Sequence, residues 1–176
     1  AEISNSYGSF NTRKHTLSFG TGLHNNFEMN GRISNIASDG FIDRATSNMF
    51  GYFFNANYVK ESTLVKFMAF GGKEKTYQAW YGIEDPEKLR NDRTFNPAGM
   101  YFDEFGNMKF YNNETDNYWQ NHFQLHWTEK WSENWISNAA LHYTIGKGYF
   151  EQYKEDEDLT DYNLPDFNGN SIYDLV

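Results

Sequence analysis

Cysteine is absent from these 176 residues. That excludes disulfide frameworks, thiolate zinc sites and cysteine nucleophiles. Proline is scarce, at 3 residues, so little interrupts extended backbone and long strands are permitted. No apolar run approaches the roughly 20 residues of a membrane-spanning helix, and the mean hydropathy is -0.82. Strands that alternate apolar with polar side chains average to the same hydrophilic value. The missing run therefore removes spanning helices and leaves spanning strands open. Cations are also in short supply, with 15 Lys and Arg against 24 Asp and Glu, a net charge of -9 and a pI of about 4.9. Such a balance argues against nucleic acid, whose phosphates need a basic face. Neither a GxSxG nucleophile elbow nor a Gly-rich phosphate loop occurs. No catalytic set emerges, so the expectation is a non-enzyme without a cofactor.

Aromatic residues are what the chain has in excess. They make up 19%, with 13 Tyr, 16 Phe and 5 Trp. Rings suit pleated surfaces, and Tyr and Trp suit interfaces where one edge meets lipid and the other water. They fall into a period-two pattern. Leu17, Phe19, Thr21 and Leu23 share a face, and a polar His24-Asn25-Asn26 turn follows. Phe27, Met29, Gly31 and Ile33 then alternate with Glu28, Asn30, Arg32 and Ser34. Phe50, Tyr52, Phe54, Ala56 and Tyr58 form the next set. After Lys60-Glu61-Ser62 come Val65, Phe67 and Ala69, with Met68 and Phe70 blurring the polar side. Late in the chain Trp119, Phe123, Leu125 and Trp127 alternate with Gln120, His122, Gln124 and His126. Leu141, Tyr143 and Ile145 alternate with Asn138, His142 and Thr144. Runs near ten residues exceed ordinary strands and match the 9–11 of a membrane-spanning strand. Asn30-Gly31 could form a hairpin turn, but the alternation passes through it unbroken.

Connections carry a second pattern. Short turns are expected at His24–Asn26, Lys60–Ser62 and Thr128–Asn134, and longer links at Ser38–Ser47, Tyr77–Asn117 and from Tyr149 onward. Tight turns at one end and large loops at the other characterise outer-membrane barrels, with the large loops outside the cell. The fold expected is all-β: an antiparallel up-and-down transmembrane β-barrel segment of about seven strands, not a closed barrel alone. Residues 1–176 read as one region with a long extracellular loop over 77–117 and an acidic one over 149–175. Within the first, Asp85-Pro86-Glu87-Lys88 reads as a capped helix start. Met100–Asp103 and Met108–Tyr111 read as a hairpin about Glu104-Phe105-Gly106-Asn107, projecting outward. Tyr77, Trp80 and Tyr81 form the candidate ligand platform, weighed against simple loop packing.

Two constellations are weighed against plainer readings. His122 and His126 lie on a strand, about 13 Å apart along it; a turn centred near Ser132 would set His122 opposite His142. A third ligand is not evident, so a hydrated lining is favoured and no metal is expected. Glu155-Asp156-Glu157-Asp158, with Asp161 and Asp166, offers hard oxygen ligands, but its spacing is not that of an EF-hand. A solvated acidic loop is the better reading. Asn113-Glu114-Thr115 matches a glycosylation acceptor, a match that a bacterial outer-membrane origin would make incidental.

The stretch Tyr118–Lys154, with YWQNHFQLHW and WISNAALHYTIGKGYFEQYK, resembles consecutive barrel strands of TonB-dependent receptors of the Bacteroidetes type. Gly71–Trp80 (GGKEKTYQAW), Arg93–Gly99 (RTFNPAG) and Ser38–Ala45 (SDGFIDRA) resemble other passages of the same group, so the resemblance covers most of the chain. It implies a barrel of about 22 strands around a plug, placement in the bacterial outer membrane, and import of a scarce nutrient such as an iron chelate or cobalamin. Lipid and the small nutrient would be the partners, and TonB would be reached only through other parts of the receptor. Ala1-Glu2-Ile3-Ser4 reads as mature chain rather than signal peptide, and neither plug nor TonB-contact segment is recognised, so a segment of a receptor is expected. The competing expectation is a soluble β-sandwich module binding carbohydrate or another extracellular ligand. An outer-membrane barrel enzyme ranks last.

Overall fold

The computed structural model describes residues 1–154, 157 and 159–164. Its strands are β1 (Glu2–Gly8), β2 (Thr12–Gly20), β3 (Phe27–Ser38), β4 (Ser47–Lys60), β5 (Thr63–Tyr77), β6 (Met100–Phe102), β7 (Met108–Phe110), β8 (Thr115–Ser132) and β9 (Trp135–Phe150). A helix α1 (Pro86–Asn91) and a 3-10 turn over Leu159–Tyr162 complete the described elements. Strands β1-β2-β3-β4-β5-β8-β9 form one seven-stranded antiparallel sheet, and β6 and β7 pair separately. β1 and β9 are its two edges, so the sheet is open.

Directly opposed residues in an antiparallel pair share a face, so the register sorts the side chains. One line of opposed partners runs Leu17, Ile33, Tyr52, Gly71, Asn121, Ile145 from β2 to β9. A parallel line runs Gly31, Phe54, Ala69, Phe123, Tyr143. Lines one residue over belong to the other face: Asn30, Asn55, Met68, Gln124, His142, and Arg32, Phe53, Phe70, His122, Thr144. A single register therefore divides the whole sheet into an apolar and a polar face. Ile36, Met49, Phe53, Val59, Leu64, Met68 and Phe70 are among the apolar intruders on the latter.

No second layer covers either face among the described residues. Ala69, Tyr77 and Ala98 are the buried hydrophobic residues there, while Phe19, Phe27, Met29, Ile33, Phe50 and Leu141 remain open. Cohesion of the sheet comes from its backbone ladder and cross-strand pairs, such as Phe27 with Tyr58 at 4.9 Å between rings and Phe123 with Tyr143 at 6.3 Å.

Most expected connections are found where the alternation put them. Residues 61–62 and 133–134 are two-residue turns, and 21–26 links β2 to β3 at the same end. Asn25 and Asn26 sit there at φ 48° and 71°, a left-handed conformation that asparagine tolerates better than most residues. Links 39–46 and 78–114 lie at the opposite end. Three differences are informative. β1 was not foreseen, because Ile3 and Tyr7 are its only large apolar residues. Its tight turn at 9–11 shares the end of the long links, so that end is not made of long links alone. β8 runs to Ser132 with a bulge between Lys130 and Ser132, which centres the turn one residue later than expected. His122 therefore opposes Thr144, and His142 opposes Gln124.

Candidate ligand-binding site

The link 78–114 folds back over the sheet end and builds a compact cap with link 39–46. Asn96 is its centre, 1% exposed. Its Nδ2 donates to the Asp43 and Gln78 carbonyls at 3.0 and 2.8 Å, and its Oδ1 accepts from the Ala98 amide at 3.1 Å. Both amide hydrogens and the carbonyl oxygen are thus engaged, as burial of an amide requires. Arg44, itself at φ 61°, donates through Nη2 to the Asn96 carbonyl and lies 3.6 Å over the Phe110 ring. The Asp43 amide donates to Thr94 O at 2.8 Å. Glu114, 2% exposed, accepts from the Tyr153 amide at 2.9 Å, tying the segment after β9 to the cap. Gly99 has φ 70°, and a Cβ there would sit 2.6 Å from the Tyr77 hydroxyl. Only glycine fits beside that ring.

Helix α1 begins as its sequence suggests, with the Asp85 side chain accepting from the Glu87 amide and Pro86 in the first turn. The β6–β7 hairpin turns about residues 103–107. Asp103 Oδ1 accepts from the Phe105 and Asn107 amides at 3.0 and 2.8 Å. Those Asn107 and Phe105 bonds, with Lys109 nearby, hold its carboxyl below the usual carboxylate range. The hairpin is not free of the cap, because Tyr101 lies against Tyr153 with rings 4.6 Å apart.

The three platform residues part company here. Tyr77 is 7% exposed, and its hydroxyl donates to the Ala98 and Tyr111 carbonyls. It is an anchor beneath the cap, not a surface. Trp80 and Tyr81 are 63% and 49% exposed, and their rings meet edge to face at 6.5 Å. Tyr81 borders a cleft of about 470 Å³ walled by Phe95, Met100 and Tyr153, with Glu84 and Lys88 at its polar side. Gln152 Nε2 donates to the Tyr81 hydroxyl at 2.6 Å, and Lys88 Nζ lies 3.4 Å over the Phe95 ring. Ring walls with a few placed polar groups, in this volume range, are common features of small-molecule sites, and they make this cleft the candidate.

The histidines form a network on the polar face. His122 Nδ1 and His142 Nε2 both reach Thr144 Oγ1, at 2.9 and 2.6 Å, and His126 Nε2 meets Gln124 Oε1 at 3.1 Å. Phe70 stacks on His122 at 4.8 Å. Among the described residues no group of three or more metal-ligating side chains converges. The acidic run lies mostly outside the described residues, at Glu155, Asp156, Asp158 and Asp166. Asn113 is engaged on both sides, accepting from Lys75 Nζ at 2.8 Å and donating to Glu151 Oε2.

Arg44, Asn96, Glu114 and Tyr153 do the structural work of the site, and residue patterning pointed to none of them. The compact Asn96-Pro97-Ala98-Gly99 string was the available signal. Comparison with family models, with curated proteins and with solved structures found no match.

Proposed function

We propose that this chain is part of the barrel of a TonB-dependent receptor in a bacterial outer membrane, importing a scarce nutrient such as an iron chelate or cobalamin. One observation carries the reading: a single register over seven strands separates a mainly apolar from a mainly polar face, and no second layer among the described residues covers either. A sheet that buries neither face needs a medium on one side and water or a plug on the other. From Phe50 to Tyr58 the apolar set on β4 spans about 26 Å along the strand, or about 20 Å after the usual tilt. That compares with an apolar band about 25 Å tall in such barrels. The capped end would lie outside the cell, where Tyr81, Trp80 and the adjoining cleft meet the nutrient.

The test uses the full protein that carries this chain. Heat-modifiable gel migration and recovery in the detergent-extracted outer-membrane fraction are expected. Trp80→Ala with Tyr81→Ala should weaken nutrient binding about tenfold while leaving heat-modifiable migration unchanged, since rings are efficient contact surfaces. Recovery as a monodisperse protein without detergent would overturn the membrane reading and favour a sandwich module. Unchanged affinity in the double variant would move recognition elsewhere in the receptor.

A further inference from the structure

The apolar face ends, toward the cap, in two lines of opposed residues. One runs Asn5, His15, Asn35, Phe50, Lys73, Trp119, Lys147; the next runs Tyr7, Arg13, Ala37, Asn48, Lys75, Asn117, Tyr149. Four strong cations stand here in a chain whose net charge is -9. Lys73 and Lys147 flank Trp119 in one line, about 10 Å apart at two strand spacings, and Lys75 follows Lys73 on the same face about 7 Å along β5. Lys147 Nζ lies 5.6 Å from the Trp119 ring.

Among the described residues, none of these cations is ion-paired with a carboxylate. The ion pairs among the described residues are Lys109 with Asp103 and Lys154 with Glu157. Of the strand residues that the register places on this face, only Glu129 is acidic, and it stands at the opposite end beside Thr63. Glu151, just past β9, has its carboxylate engaged by Asn113, which also takes a hydrogen bond from Lys75. The other end of the same face carries Phe27, Tyr58 and Trp127 with Lys60 as its lone cation. The charge is therefore one-ended.

We infer that Lys73, Lys75 and Lys147, set around Trp119, hold the phosphate of an anionic lipid whose acyl chains lie along Phe123, Tyr143 and Ile145. The inference rests on the membrane reading above and assigns a particular lipid chemistry to one rim of the apolar face. Cations bordering an apolar band select an occupant that is itself anionic at one end and apolar at the other. A soluble polyanion would gain nothing from the band, and a neutral lipid nothing from the lysines. Attraction of juxtamembrane Lys or Arg to an anionic leaflet amounts to about 1 kcal/mol each, or roughly fivefold in affinity.

The full protein carrying this chain is transferred from nonionic detergent into phosphatidylcholine vesicles with or without phosphatidylglycerol, and partitioning is measured. The comparison pits Lys73→Gln, Lys75→Gln, Lys147→Gln against Lys14→Gln, Arg32→Gln, Lys66→Gln, three charges removed from the opposite face. Preference for the phosphatidylglycerol vesicles is expected, falling roughly fivefold per lysine in the first triple variant and unchanged in the second. Equal partitioning of the unaltered protein into both vesicles would overturn the lipid assignment and leave the membrane reading standing. Insertion into neither vesicle would overturn both. Equal losses in the two triple variants would reduce the effect to net charge, and full competition by inorganic phosphate would reveal a phosphate site that does not need the lipid.

Discussion

The cap and the sheet solve opposite problems. The cap, from links 39–46 and 78–114, buries polar groups and pairs most of them, with Arg44 Nε and Gln78 Oε1 left unpaired. Asn96, Glu114 and Gln78 are each 3% exposed or less, and Tyr77 and Ala98 close around them. The sheet orders far more residues and buries almost nothing but Ala69, Asn55 and Asn121. A buried polar network is specific because each unmade bond is costly, so the cap holds its shape from within. The sheet satisfies its backbone through the ladder but leaves an apolar face that no second layer covers among the described residues. Local packing accounts for the candidate binding cleft and does not account for the sheet.

The largest expected effect breaks the cap and spares the sheet. Asn96→Ala would leave the Asp43 and Gln78 carbonyls and the Ala98 amide without their partner. At about 1–2 kcal/mol for each buried unpaired group, the cap should lose about 3–6 kcal/mol. Hydrogen exchange should show the amides of 78–114 exchanging at least a hundredfold faster while those of β3–β5 keep their protection.

The next effect sharpens the sheet side. Phe123 lies between Ala69 and Tyr143 near the middle of the apolar face, and its neighbour Gln124 lies on the polar one. In a bilayer, Phe123→Arg should cost about 2–4 kcal/mol, the usual depth-dependent cost of a lipid-facing cation. Gln124→Arg should be close to neutral. Unfolding titrations in lipid measure both.

The faces were legible in the sequence because a period of two is a strong local signal, and the strand set beginning at Trp119 shows it despite the polar Asn121 on its apolar side. The set Trp119, Phe123, Leu125, Leu141, Tyr143 and Ile145 falls on one face as that period required, and Gln120, Gln124, Asn138 and His142 fall on the other. β1 was hidden because Glu2, Ser4, Ser6 and Asn5 leave it little contrast. The β8–β9 turn was drawn too long because Glu129, Lys130 and Trp131 break the alternation at the bulge, and that error misplaced the partner of His122. The cap was the least legible part. Arg44 and Asn96 meet across 52 positions of sequence, and no local pattern encodes such a contact. Tyr77 looked like its neighbours Trp80 and Tyr81, yet sits at the end of β5, where the cap closes over it.

A smaller effect concerns pH. Asp103 accepts the amide hydrogens of Phe105 and Asn107, and its carboxyl titrates below the ordinary carboxylate value. A depressed value means that ionisation stabilises the folded hairpin. The contribution is complete above the unfolded value of about 3.9 and is lost as pH falls through the lower, folded one. Acid below about pH 3.9 should therefore loosen β6–β7, visible as amide shifts of Phe105 and Asn107. Asp103→Asn should remove that acid transition.

The central claim is that one face of the sheet meets lipid and the other meets water. Single cysteines at Phe123, Leu125, Leu141 and Tyr143, and at Gln120, Gln124, Asn138 and His142, can be reacted in the membrane-embedded full protein with a water-soluble thiol reagent. The account predicts labelling of the second set and protection of the first, with the pattern inverting at every residue along β8 and β9. Equal labelling of both sets would contradict it, since a sheet wetted on both faces has no bilayer against it.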